Sequence, residues 1–162
     1  MSDRTEDFAE IGGRLDYPMF IVTANDAGHR SGCLVGFATQ CAVAPPRFVV
    51  FISKKNHTFE VALASEHLGV HVVPEDGEEL ARLFGERTGD DVDKFQSCRW
   101  EESTDGVPVL TDCADRFVGK VLDRFDAGDH IGFLLDPMNI HAGGGSFFHF
   151  QKAMEFEPGH EA

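Results

Sequence analysis

Between Ser31 and Glu60 the chain sets two short apolar runs, residues 31–37 and 48–53, on either side of a segment that ends in two consecutive prolines, Pro45 and Pro46. Runs rich in Val, Ile, Leu and Phe and bounded by turn residues read as strands with a buried face. The double proline fixes an extended connection that cannot pair as a central strand, so residues 38–46 read as a loop offering backbone N–H groups, the Thr39 hydroxyl and the Gln40 amide. After the second strand, Ser53-Lys54-Lys55-Asn56-His57-Thr58 leads into FEVALAS, gathering hydroxyl, amide and ammonium groups at the start of a helix. Unpaired N–H groups and the positive end of a helix dipole would meet a phosphate there. The plainer reading is a solvated turn in which Asn56 or Thr58 only caps the helix, and the segment alone leaves both open.

The whole chain limits the partners of such a site. Its 162 residues fit one domain, residues 1–162, with 1–14 a polar extension and 151–162 a C-terminal tail. The 28 acidic against 14 basic residues, a formal net charge of −14, argue against nucleic acid or an anionic membrane as partner, since both demand positive surface. In so acidic a chain the Lys54-Lys55 pair stands out. The N-terminus is polar and acidic where a signal peptide needs a basic region and an apolar run, and no stretch approaches the ~20 apolar residues of a membrane span. A cytoplasmic protein is expected. Cys33, Cys41, Cys98 and Cys113 form no C-x-x-C pair and read as reduced thiols, and the eight histidines show no H-E-x-x-H motif, so no metal site is expected.

Along the chain, residues 17–24 read as a strand, Asn25-Asp26-Ala27-Gly28 as a hairpin turn, and 31–37 as the second strand. Residues 47–53 form a third strand and 57–65 a helix, with Phe59, Ala62 and Leu63 on one face. Residues 70–73 are a short strand ended by Pro74. A second helix follows, with Asp76 and Glu79 spaced as a capping box and Leu80, Leu83 and Phe84 sharing a face. Residues 88–115 are weakly patterned: DDVDKF suggests a helical turn and the remainder loop, broken by GVPVL. Two long strands, 116–126 and 130–139, flank the Ala127-Gly128-Asp129 turn, but both alternating sets of the first are mixed, so its buried face is not readable. Gly143-Gly144-Gly145 then turns the chain into a last strand, 147–150. Six or seven hairpin-linked strands with two helices imply a mainly β fold, a small antiparallel barrel with helices outside. No G-x-G-x-x-G follows the first strand, which leaves a Rossmann site unsupported.

The Thr39 loop and Pro45-Pro46, SKKNHT before a helix, EELARLFG followed by Asp93-Lys94-Phe95, GVPVL at 106–110 and DAGDH at 126–130 occur in an order that resembles the flavin reductase-like, FMN-binding split-barrel family. That family includes the reductase components of two-component flavin-dependent monooxygenases. The resemblance runs over about residues 17–150 and implies an antiparallel split β-barrel and a homodimer, with FMN at the barrel edge near the subunit interface. Gly36, Phe37, Ala38 and Thr39 would contact the flavin. Ser53, Lys54, Lys55, Asn56 and Thr58 would hold its phosphate, and His130 would lie near the nicotinamide or flavin ring. FAD is a possible substitute for FMN, and NADH or NADPH is the implied reductant. The chain departs from the family pattern at Gly36-Phe37, where a Ser-Ser pair is common, at Leu34 for Thr, at Phe59 for His, and at His149 and Gln151 for Tyr and Arg.

Three functions are compatible with these residues. One is an NAD(P)H-dependent FMN reductase supplying reduced flavin to a partner oxygenase. The others are a non-catalytic FMN-binding or electron-carrier protein, and a flavoenzyme that reduces a small organic substrate. Flavin and nicotinamide carry the hydride chemistry themselves, so no protein nucleophile or acid pair is needed.

Overall fold

The computed structural model describes residues 3–86 and 93–156. Seven strands, β1 (Phe20–Asp26), β2 (His29–Val35), β3 (Ala38–Val43), β4 (Pro46–Ser53), β5 (His67–Val72), β8 (Asp115–Asp126) and β9 (His130–Ala142), form one antiparallel sheet in the order β2-β1-β5-β8-β9-β4-β3. A separate pair, β6 (Trp100–Glu102) and β7 (Pro108–Leu110), is also antiparallel. The helices are α1 (Arg4–Gly12), α2 (His57–Leu63), α3 (Glu78–Glu86) and α4 (Phe150–Ala153).

The sheet wraps one core without closing, because the end strands β2 and β3 are not paired to each other. Phe20, Val22 and Ala24 of β1, Cys33 and Val35 of β2, Val50 and Ile52 of β4, Leu68 and Val70 of β5, and Phe133 and Leu135 of β9 meet inside it, with Val61 and Ala62 of α2. This is the expected split barrel. The opposite face of β1 is buried too: Met19 and Ile21 join Ala81 and Phe84 of α3, Phe95, Leu110 and Phe148 in a second cluster. A strand covered on both sides reads as the unbroken apolar run seen in the sequence.

Several expectations shift. The β1–β2 hairpin turns on Ala27 and Gly28 alone, with φ of 49° and 92°, so its strands pair out to Asp26 and His29. Positive φ at both positions is the two-residue turn that matches strand twist. Residues 38–46, expected as a loop, are mostly strand β3. The prolines are compatible with this because Pro45 lies in the turn between β3 and β4 and Pro46 is the first residue of β4. The expected capping box fails: α3 starts at Glu78, and the carbonyl of Gly77, not Asp76, accepts the first intrahelical bond from Ala81. Residues 147–150 are no strand; they make isolated bridges at Phe147 and His149 and then enter α4. Part of DDVDKF lies outside the described residues, and Lys94–Gln96 is a 3-10 turn capped by Asp93. The strand count is nine and the α-helix count four among the described residues, because β3, β6 and β7 arise in weakly patterned segments and the helices α1 and α4 near the ends.

His71 on β5 joins three strands. One ring nitrogen, Nδ1, lies 2.9 Å from the Ile21 carbonyl and the other, Nε2, accepts the Leu110 N–H at 2.9 Å, with no exposure to solvent. The ring must therefore be neutral, with its proton on Nδ1 donated to the carbonyl. Burial pushes its pKa down to about 4.

The β8–β9 pairing carries two bulges: the first, at Arg116–Val118, has its extra residue on β9, and the second, between Val121 and Asp123, has it on β8. The second makes Leu122 an extra residue, so Phe117 and Val121 pack on the core while Asp123 and Phe125 fall opposite Leu134 and Gly132 on the outside. A one-residue insertion exchanges the two faces of a strand, which is why both alternating sets of this segment were mixed.

Candidate functional site

With Val50 and Ile52 facing the core, strand alternation turns Val49, Phe51 and Ser53 of β4 outward, and register carries the same face across Leu134, Gly132 and His130 of β9. On one side Thr39 of β3 pairs with Val49, and the Phe37 carbonyl accepts the Phe51 N–H at 2.9 Å. On the other, Phe125 of β8 pairs with Gly132. Phe51 and Phe125 meet edge to face with ring centroids 5.6 Å apart. Gly132 makes room for that contact, since a Cβ there would stand 2.4 Å from the Phe125 ring. Phe37 lies 5.3 Å from the His130 ring. Phe37 is 54% and Phe125 44% exposed, so this end of the sheet presents an aromatic surface to solvent.

The chain leaves β4 at Ser53 through a tight turn in which the Asn56 N–H donates to the Ser53 carbonyl at 3.0 Å and the Lys55 N–H to Ser53 Oγ at 3.3 Å. Asn56 caps α2, its Oδ1 accepting the Thr58 N–H at 2.9 Å. Thr58 is buried beneath the loop with its hydroxyl 2.7 Å from that of Ser31, while Lys54 and Lys55 stay at the surface. Helix α2 is only seven residues long, so any anion affinity here rests on the ammonium groups and the loop amides rather than on a helix dipole.

The β8–β9 turn closes against this loop. Lys54 N–H donates to the Asp129 carbonyl at 2.9 Å, and Lys54 Nζ reaches Asp126 Oδ2 at 2.9 Å. Asp126 Oδ1 also accepts the Gly128 N–H at 2.8 Å; that bond first, and Lys54 second, hold its carboxyl below the ordinary range. Asp129 Oδ1 lies 2.7 Å from His130 Nδ1, and this contact lowers the Asp129 pKa. An ionised carboxylate only accepts, so the His130 proton sits on Nδ1 and Nε2 is the nitrogen that can serve a ligand.

The candidate residues thus fall into groups. Phe37, Thr39, Ser53 and His130 share the outer face, with Lys54 and Lys55 at its rim. Gly36 instead faces Tyr17, where a Cβ would lie 3.1 Å from the ring, and Ala38 packs on the core. Asn56 and Thr58 shape the loop from within. Phe51, Phe125, Gly132 and Asp126 were not singled out as site residues by sequence reasoning. Their signal is carried by the β8 bulge and by pairing across strands distant in sequence.

Two cavities lie elsewhere: one of about 870 Å³ lined by α3, Cys98 and Asp112, and one of about 230 Å³ lined by His29, Arg30, Asp93 and Phe95. Neither contains the lysine pair or His130. The larger one includes Cys98 in its wall. Its Cys98 thiol, like buried Cys33, is pushed up to about 11 by burial and stays protonated. Among the described residues no cluster of three or more His, Cys, Asp or Glu could hold a metal ion, and no helix is long and apolar enough to cross a membrane.

Residues 12–155 match the model of the flavin reductase like domain. The chain belongs to this family. Among curated relatives, an FMN reductase (NADH) of Methylorubrum extorquens, RutF, is 28% identical over 76% of this chain, which spans 60% of that protein. A flavin reductase domain protein of Arthrobacter superposes with a TM-score of 0.83 at 23% identity, over 98% of this chain and 96% of that one. An NADH:FAD oxidoreductase of Streptomyces globisporus, solved with NAD and FAD fragments, superposes with a TM-score of 0.80 at 17% identity, over 100% and 95% of the two chains. At these identities the solved structures bear on the fold. The flavin reductase-like chain therefore has the split-barrel architecture of the family.

Proposed function

We propose that this protein is an NAD(P)H-dependent flavin reductase that binds FMN across the outer face of β3, β4 and β9. The observation that carries this reading is the alignment, along one end of the sheet, of a two-lysine loop, an uncovered aromatic surface and His130. Two ammonium groups and the loop amides suit a phosphate, and the exposed rings of Phe37 and Phe125 suit a flat heteroaromatic ring. The relative named FMN reductase (NADH) supports the same chemistry. When bound, flavin supplies the hydride acceptor. The chain's own residues bind the phosphate, cover one side of the ring, and hold His130 with its Nδ1 proton on Asp129. FMN is the preferred flavin in this reading, with FAD accommodated where the ring face is shared.

The site is a surface and not a cavity, and a single protein face covers only one side of a flavin. A homodimer on this face would bury Phe37 and Phe125 and complete the pocket; light scattering is expected to give twice the chain mass, and a monomer that binds FMN tightly would remove the interface from the site. The reduced flavin would be delivered to a flavin-dependent oxygenase. The free cysteines fit a reducing compartment such as the cytoplasm.

The deciding experiment is NADH and NADPH oxidation with catalytic FMN, followed by nicotinamide absorbance. Steady turnover without a further acceptor than oxygen supports a reductase. A bound flavin spectrum without turnover would assign the chain to carriers, and turnover only with an added organic acceptor would assign it to direct substrate reduction. The phosphate placement has its own test. Lys54→Ala is expected to weaken FMN roughly tenfold, near the lower end for a charge-assisted hydrogen bond because Lys54 is exposed and ion-paired, while riboflavin binding stays unchanged. Equal loss for both ligands would put the phosphate elsewhere.

A further inference from the structure

The ammonium of Lys54 is already held by a carboxylate. Its Nζ sits 2.9 Å from Asp126 Oδ2, and Asp126 is itself fixed by the Gly128 N–H at 2.8 Å on its other oxygen. The turn that carries Asp126 is tied to the lysine loop by the bond from Lys54 N–H to the Asp129 carbonyl at 2.9 Å. Both partners are therefore anchored through backbone, and the contact is built into the meeting of two loops. A phosphate arriving at Lys54 meets a negative charge at hydrogen-bonding distance from the same ammonium. It must displace that carboxylate or share the cation with it.

We propose that Asp126 is an affinity-setting residue of the flavin site, a built-in anion that competes with the flavin phosphate for Lys54 and so keeps FMN exchangeable. This rests on the phosphate reading given above. The alternative role, in which Asp126 steers Lys54 toward the phosphate, predicts the opposite sign. Like charges around one cation repel, and a dianionic phosphate is repelled more than a neutral ribityl chain. A reductase that hands its flavin to another protein needs release as well as capture, and a resident carboxylate that re-forms its ion pair favours release without weakening contacts to the ring.

The test is titration of FMN and riboflavin into the full-length protein, its Asp126→Asn variant, Lys54→Ala and the double variant. Asp76→Asn, on an exposed residue preceding α3, serves as the charge-matched control. Asp126→Asn is expected to tighten FMN roughly two- to tenfold at low salt, an effect that shrinks as ionic strength rises. Riboflavin affinity should not change, the control should leave FMN affinity unchanged, and the gain should vanish in the Lys54→Ala background. FMN affinity that is unchanged or weaker in Asp126→Asn, with Lys54→Ala still selectively impairing FMN, overturns the competition and leaves the phosphate site standing. If Lys54→Ala has no selective effect on FMN, the phosphate placement fails and the competition falls with it. Equal tightening in Asp76→Asn would reduce the effect to overall net charge and also overturn it.

Discussion

Replacing His130 by alanine is expected to slow the reduction of bound flavin by NADH on the order of 100-fold, because hydride transfer depends steeply on placement and a displacement of about 1 Å carries a penalty of that size. His130 stands on the outer face one alternation step from Gly132, with its ring against Phe37 and its Nδ1 proton committed to Asp129. In the proposed reading, Nε2 would orient the carboxamide or ring of a stacked nicotinamide. FMN affinity should be largely kept, since the lysine loop is untouched. Stopped-flow reduction of pre-bound FMN isolates the step. An unchanged rate would make His130 a turn residue, whereas loss of FMN binding would move it from the nicotinamide to the flavin itself.

The second large effect concerns stability and lies far from the site. In the unfolded chain His71 titrates near its ordinary value of 6.5, while in the fold burial lowers it to about 4. Between those values the unfolded state binds the extra proton, so acid favours unfolding. The contribution is fully present above pH 6.5 and is lost as the pH falls towards 4, at about 1.4 kcal/mol per pH unit and roughly 3 kcal/mol in all. Urea unfolding across this range should show the slope in the native protein. A His71→Gln variant should be less stable at neutral pH and should lose about one proton's worth of slope. Equal slopes in both proteins would show that His71 is not the group responsible.

His71 also illustrates what could not be read in the linear chain. Nothing near it in sequence marks it as a bridge, because its partners, Ile21 and Leu110, are brought to it by strand pairing. The same holds for the aromatic surface. Phe51, Gly132 and Phe125 sit on three neighbouring strands, and Phe125 reaches that face only because Leu122 is bulged out of register. Alternation is a reliable guide to a strand's faces only while pairing is unbroken.

The local chemistry of the chain decided the hairpin at Ala27-Gly28, the Asn56 cap and the lysine loop at the end of β4, since turn geometry, capping and charge depend on residues a few positions apart. The order of apolar runs implied a small antiparallel barrel with helices outside, because hairpin-linked strands must each bury one face, and the family resemblance made it a split barrel. Which cation meets which anion was settled only by the tertiary structure. Lys54 and Asp126 lie far apart in the chain, and their contact exists because β9 pairs with β4 and brings the turn preceding it onto the lysine loop. An ion pair of this kind depends on distances of a few ångströms, and such distances between remote segments are set by packing and register rather than by any local preference.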